Sequence, residues 1–458
     1  MGKMKALDYF FYPKSIAVIG ASRDPEKVGH AILHNLVNGK FKGELFPINP
    51  HAEYVLNLKC HKSIKQVKAD LDLAVIAVHA EEVPEELEQC GAKGIEAVII
   101  VSAGFGEIGN RKLAEKIAKI KRKYKKMRVI GPNCLGILNT ENGVDTLFLP
   151  EYRLKRPEKG EISFISQSGA LGSAVLDWAS MQEIGISKFV SYGNAMDIDE
   201  SDLLEYLAQD KNTNVIVMYI EGVKNGTKFM QAARKFAGKK PIIVLKGGIT
   251  AEGEKAVKSH TGSLAGSAEV YNAVFRQAGI IKAENLLELF DFARVLSKVA
   301  KPKGNRVQII TDGGGYGVIT ADAVIKEGLQ LAEMEEKNKK FLRKIFPSYA
   351  VLGNPLDLTG DATMERYKAA AEAAMRDKNV DIVILILLYQ VPTLNSDVID
   401  IVAELSNRKA KPLVVISVGG AYSEVHKRAL EREGVVNFSY PENAIKALKA
   451  LIDYYKKK

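Results

Sequence analysis

Between Ser15 and Gly136 the chain repeats one rhythm: a short apolar run followed by an amphipathic stretch. The runs are SIAVIG, ELFPIN, LDLAVIAV, EAVIIVSAGF and MRVIGPN, with helices expected near Val28–Val37 and Val83–Cys90 and over the basic segment that follows. Short apolar runs without polar alternation are strands buried on both faces, and a parallel sheet with helices on both sides is what buries them so. The predicted fold class is α/β, with a Rossmann-like βαβαβ domain at the N-terminus.

Two stretches rich in proline and charge divide the rest. Leu149 to Gly160 (LPEYRLKRPEKG) and Lys301-Pro302-Lys303-Gly304 read as linkers, giving domains at 1–150, 161–300 and 305–458. The second and third look like copies. EISFI runs into Ser166-Gln167-Ser168-Gly169-Ala170-Leu171-Gly172, and RVQII runs into Thr311-Asp312-Gly313-Gly314-Gly315-Tyr316-Gly317. Gly193-Asn194 then answers to Gly353-Asn354, Asp210-Lys211-Asn212 to Asp377-Lys378-Asn379, and Pro241 to Pro412. The offset grows from 145 (311 − 166) to 171 (412 − 241), as insertions in the surface loops of a duplicated unit produce.

Lys+Arg exceeds Asp+Glu by 65 − 55, a net charge of +10. The basic residues are mostly interleaved with acidic ones, so a solvated surface is expected rather than a nucleic-acid groove. The densest cluster, Lys116 to Arg128, reads as an exposed helix face. Cys60, Cys90 and Cys134 are isolated, with neither disulfide-framework nor metal-ligand spacing; no metal site is expected and a reducing compartment is. The longest apolar stretch, Ile382 to Tyr389, is far short of the ~20 residues of a membrane span, and Met-Gly-Lys-Met-Lys precedes no signal-peptide core. A cytoplasmic protein is expected.

Gly20-Ala21-Ser22-Arg23-Asp24 joins the first strand to the helix near Val28, where small residues let a pyrophosphate approach backbone N–H groups and the positive end of the helix dipole. An NAD site calls for an acid at the end of the second strand; here that strand ends in Asn49. A ligand with an additional ribose phosphate, such as coenzyme A, would be repelled by an acid there and attracted by Arg23 and Lys27. Val28, and Val78 at the end of the third run, complete the expected contacts. A turn kept only for packing and a nicotinamide site are the alternatives.

The two repeat loops each open a helix just after a strand and so offer unpaired N–H donors. Ser166, Gln167, Ser168 and Gly169 in one, and Thr311, Gly313, Gly314 and Gly315 in the other, are expected to hold phosphate, and two such loops could clamp one phosphoryl group. Of seven histidines, His260 alone lies in a long segment of small polar residues, KSHTGSLAGS. Imidazole is a competent nucleophile near neutral pH, and Glu221, after the strand VIVMYI, stands where a carboxylate could orient it.

KSHTGSLAGS, ISQSGALG, GASRDPEKVGHAI and YIEGV together resemble the α subunit of archaeal ADP-forming acetyl-CoA synthetases, relatives of succinyl-CoA synthetase, and the resemblance spans the chain. It implies a CoA-binding domain followed by two flavodoxin-like ligase domains, with His260 phosphorylated, Glu221 supporting it and the paired helix N-termini holding phosphate. It further implies acetyl-CoA and phosphate as substrates. No segment remains for an ATP-grasp domain, so ADP or ATP and Mg²⁺ are expected on a separate β subunit, in an α2β2 assembly. A non-catalytic acyl-CoA-binding regulator of the same fold is the alternative.

Overall fold

The computed structural model describes residues 2–39, 41–261 and 267–456. They form two compact units, Met1–Glu284 and Asn285–Lys458. The first unit holds two large sheets and the second holds one.

All three sheets share one plan. In the first, the parallel strands lie in the order Glu44–Ile48, Ser15–Ile19, Leu73–Ile76, Ala97–Ile100, Arg128–Ile130. Numbered along the chain this is 2-1-3-4-5, the doubly wound order of flavodoxin-like folds. The parallel part of the second sheet runs Ile186–Ser191, Lys159–Ser166, Val215–Ile220, Ile242–Lys246, Ile281–Ala283. The third runs Gln330–Leu331, Arg306–Thr311, Ile382–Leu387, Leu413–Ser417, Asn437–Phe438. Each repeats that order. In such sheets the order reverses beside the first strand, so the loops following the first strands, after Ile19, Ser166 and Thr311, lie where ligands bind.

The duplication extends to side chains. Lys240 Nζ donates to the carbonyls of Leu207 (3.3 Å) and Asp210, at the end of the helix and turn preceding a central strand. Lys411 Nζ does the same in the other copy, to Ala374 (3.0 Å) and Asp377. Burial lowers the pKa of both lysines, while the nearby aspartates oppose the shift.

Two features depart from the local pattern. Residues 136–145, assigned to the first domain, supply the strands Gly136–Asn139 and Val144–Asp145 to the edge of the second sheet, the former antiparallel to Ile186–Ser191. Their side chains are buried either way, so the run alone does not say which sheet takes it. Arg128 ends the basic cluster but is not on an exposed helix face. The helix is Arg111–Lys123, and Arg128 begins a strand, buried, its guanidinium paired with Asp197 (2.8 Å) and Asp202 (3.2 Å). Lys121 and Lys228 extend the network to Asp197 (3.1 Å) and Asp199 (2.8 Å), joining the first sheet to the loops of the second.

Candidate functional site

At the first turn the backbone approaches itself as closely as glycine permits. Gly20 has φ +90°, and a Cβ there would sit 2.3 Å from the Ala77 carbonyl oxygen. A Cβ on Gly29, in the first turn of helix Val28–Asn38, would sit 1.9 Å from the Gly20 carbonyl oxygen. Gly29→Ala should therefore destabilise the fold by about 2 kcal/mol, since a methyl group there must move backbone; the midpoint of denaturant unfolding measures it. Asn49 brackets the turn, donating to the Ala21 carbonyl (2.6 Å) and accepting from the N–H groups of His51 (2.7 Å) and Ala52 (3.0 Å). Val78 packs beside Gly20, while Arg23, Lys27 and Val28 form an exposed rim. All eight residues expected at a CoA site thus surround one backbone cradle that carries two exposed cations. That suits a polyanionic ligand whose phosphates approach main-chain N–H groups.

In the second sheet, Ser168 caps helix Gly169–Met181, its Oγ accepting from Leu171 N–H (3.3 Å), and Ser166 Oγ donates to the Ser168 carbonyl (2.7 Å). Gln167 also anchors the loop. Its Oε1 accepts from the N–H groups of Glu221 (2.8 Å) and Gly222 (3.1 Å) and from Tyr192 OH (3.3 Å), tying the loop to the end of strand Val215–Ile220. Glu221 is buried. Its Oε1 accepts from Tyr219 OH (3.3 Å), and its Oε2 has no hydrogen-bond partner among the described residues. A buried carboxylate oxygen without a donor is costly, and an N–H donor arriving from elsewhere would satisfy it. Lys246 ends the neighbouring strand with its Nζ 4.7 Å from the Tyr271 ring centroid; burial lowers its pKa, opposed by Glu254 and Glu221. His260 lies in the last turn of helix Ala251–Thr261, and its side chain lies outside the described residues, as do residues 262–266.

Beside Gln167 and Gly222 opens a cavity of about 810 Å³. Phe105, Arg111 and Ile117 line one wall, and Asn194, Glu200 and Lys224 another. Glu107 bridges the walls, accepting from Gly104 N–H (2.5 Å), Phe105 N–H (3.1 Å) and Asn194 Nδ2 (2.5 Å). Burial raises its pKa, but these hydrogen bonds outweigh burial and hold the carboxyl below its usual range. Glu107, Glu200 and Lys224 were missed in the sequence, where each is one more charged residue in a loop or helix start.

The other copy, in the second unit, repeats the device. Thr311 Oγ1 accepts from Gly313 N–H (2.9 Å) at the start of helix Gly314–Lys326, leaving Gly314 and Gly315 exposed. Asp312 takes the place of Gln167, accepting from Leu388 N–H (3.1 and 3.3 Å) after strand Ile382–Leu387. Burial pushes its carboxyl up to about 6. Among the described residues no cluster of three or more metal-ligating side chains occurs, and no helix is long and apolar enough to cross a membrane.

Three protein families match in sequence: a CoA binding domain over residues 14–140, a succinyl-CoA ligase like flavodoxin domain over 159–296, and a Ligase-CoA domain over 307–456. The α subunit of acetate–CoA ligase [ADP-forming] II from Pyrococcus furiosus is 41% identical, with 98% of each chain covered. An acetate–CoA ligase [ADP-forming] from Methanocaldococcus jannaschii is 44% identical over 99% of this chain and 64% of its own length. Among solved structures, the dinucleotide forming acetyl-coenzyme A synthetase 1 of Ca. Korarchaeum cryptofilum, in complex with phosphate and ADP, superposes with a TM-score of 0.92. It is 36% identical and covers 98% of this chain and 97% of that one.

Proposed function

Because this chain belongs to the α-subunit family of ADP-forming acetate–CoA ligases, we propose that it performs the acyl half of acetyl-CoA + ADP + phosphate ⇌ acetate + ATP + CoA. The cradle at Gly20, Ala21 and Gly29, with Arg23 and Lys27 at its rim, holds the CoA nucleotide, and the thioester reaches the cavity beside Gln167. The N-terminus of helix Gly169–Met181 holds phosphate, which attacks the acyl carbon. The C–S bond breaks as the C–O bond forms, giving CoA and acetyl phosphate. His260 then attacks phosphorus, forming an N–P bond as the P–O bond to acetate breaks, and the aligned N–H groups stabilise the charge spread over the phosphoryl oxygens.

The observation that carries this reading is Glu221: a buried carboxylate with one open oxygen, fastened by its own N–H to the phosphate loop. The proposed donor for that oxygen is the imidazole of His260, fixed in one tautomer by the contact. An ATP-grasp partner subunit, in an α2β2 cytoplasmic assembly, would hold ADP and Mg²⁺ and receive the phosphoryl group. Combined with that partner, the chain should release free thiol from acetyl-CoA in sustained turnover only when both phosphate and ADP are present. Release that ignores phosphate would mean simple thioester hydrolysis, and no release at all would remove the ligase reading.

A further inference from the structure

We propose that the Glu200 carboxyl is the hydrogen-bond donor that holds the acyl oxygen of the substrate, an assignment that rests on the acyl-CoA ligase reading. Glu200 opens helix Glu200–Leu207 and lines the cavity that also exposes Gln167 and Gly222, so it sits beside the loop proposed to hold phosphate. Its side chain is buried, the residue being 1% exposed, and its Oε1 has no hydrogen-bond partner among the described residues.

The charged groups around it are committed elsewhere. Asp199 caps the helix through the N–H groups of Ser201 and Asp202 (3.0 Å each) and pairs with Lys228 (2.8 Å). Lys224 Nζ donates to the carbonyls of Asn194 (2.6 Å) and Ala195 (2.8 Å). Tyr192 donates to Gln167, and the Tyr271 hydroxyl accepts from Val223 N–H (3.1 Å). Burial dominates what remains: it pushes Glu200 up to about 7, against its own helix-start N–H, Lys228 and Lys224, with Asp199 adding to the rise. Near neutrality a large fraction of the carboxyl therefore keeps its proton and can donate.

The chemistry of the substrate selects that form. A thioester carbonyl, an acyl phosphate carbonyl and a free carboxylate all present an oxygen acceptor at one position. A neutral acid donates to each of them, whereas an ionised Glu200 would repel the last and offer nothing to the others. A donor already in place where negative charge builds on the acyl oxygen also favours the addition step, as a buried neutral carboxylic acid does in known oxyanion sites.

The test uses the chain assembled with its partner subunit and acetyl-CoA as the varied substrate. Glu200→Ala should lower kcat/KM about a hundredfold, the usual scale for losing one such donor. Glu200→Gln keeps an N–H donor and should recover most of that loss; being isosteric, it also carries the test should the alanine variant misfold. The wild type should lose kcat/KM as pH rises through about 7, where the carboxyl ionises, and Glu200→Gln should lack that limb. Glu200→Ala within threefold of wild type, or the same alkaline fall in Glu200→Gln, overturns the assignment. Uptake of phosphate from ATP by the wild-type chain through the partner tests the ligase reading without the acyl cavity. Its absence overturns both readings, whereas its presence confines any failure to Glu200.

Discussion

His260→Ala should abolish ATP formation from acetyl-CoA, by at least about a thousandfold, while CoA binding by the first turn persists. The size follows from the role: a residue that carries the phosphoryl group covalently has no substitute, and nucleophile removal in enzymes costs on this order or more. Separation from CoA binding follows from position, because His260 belongs to helix Ala251–Thr261 and the CoA cradle to the first sheet. Incubation of the wild type with acetyl-CoA and phosphate should add one phosphoryl mass that is labile in acid and stable in base, as a phosphoramidate is. Intact-mass analysis followed by peptide mapping checks it. The same labile phosphate on the alanine variant would move the nucleophile to another residue.

The second large effect is dependence on the partner. Alone, with acetyl-CoA, phosphate, Mg²⁺ and ADP, the chain should form no net ATP; with the β subunit it should turn over. The sequence contains no GxxxxGK[ST] loop, and its described residues form three sheets of one doubly wound plan, a two-stranded sheet of Tyr54–Val55 and Leu58–Lys59, and their helices. Arsenate- or phosphate-dependent cleavage of acetyl-CoA should survive in the isolated chain at a low level, since Glu221 and the loop at Ser166 to Gly169 belong to this chain. A luciferase assay with and without the partner separates the outcomes. Robust ATP synthesis by the chain alone would mean that it seats a nucleotide itself.

The parts legible in the sequence are those that short-range patterns encode. Runs such as IVILIL and VIVMYI can only be strands buried on both faces, and the α/β class follows. Small residues after a strand mark phosphate-sized turns, as at Gly20 and Gly313, because only a chain without bulky side chains can close there. What stayed hidden was tertiary. Arg128 looks like any member of a basic cluster until its strand buries it against Asp197 and Asp202. Glu200 looks like a helix-start acid until the cavity forms around it, and Gln167 looks like a loop amide until its carbonyl meets two N–H groups at the end of another strand. Pairing partners, burial and orphaned atoms depend on residues far away in the chain, so no local reading reaches them.

The matched loop anchors have a stoichiometric consequence. In one copy Gln167 grips the N–H of Glu221; in the other Asp312 grips the N–H of Leu388 at the same place in the sheet. Where the first copy presents the buried carboxylate of Glu221, proposed to steady the imidazole of His260, the second presents an isobutyl group. On the proposed reading, only the first copy can take a covalent load after duplication, so the chain would be a single-shot carrier, charged with one phosphoryl group and never two.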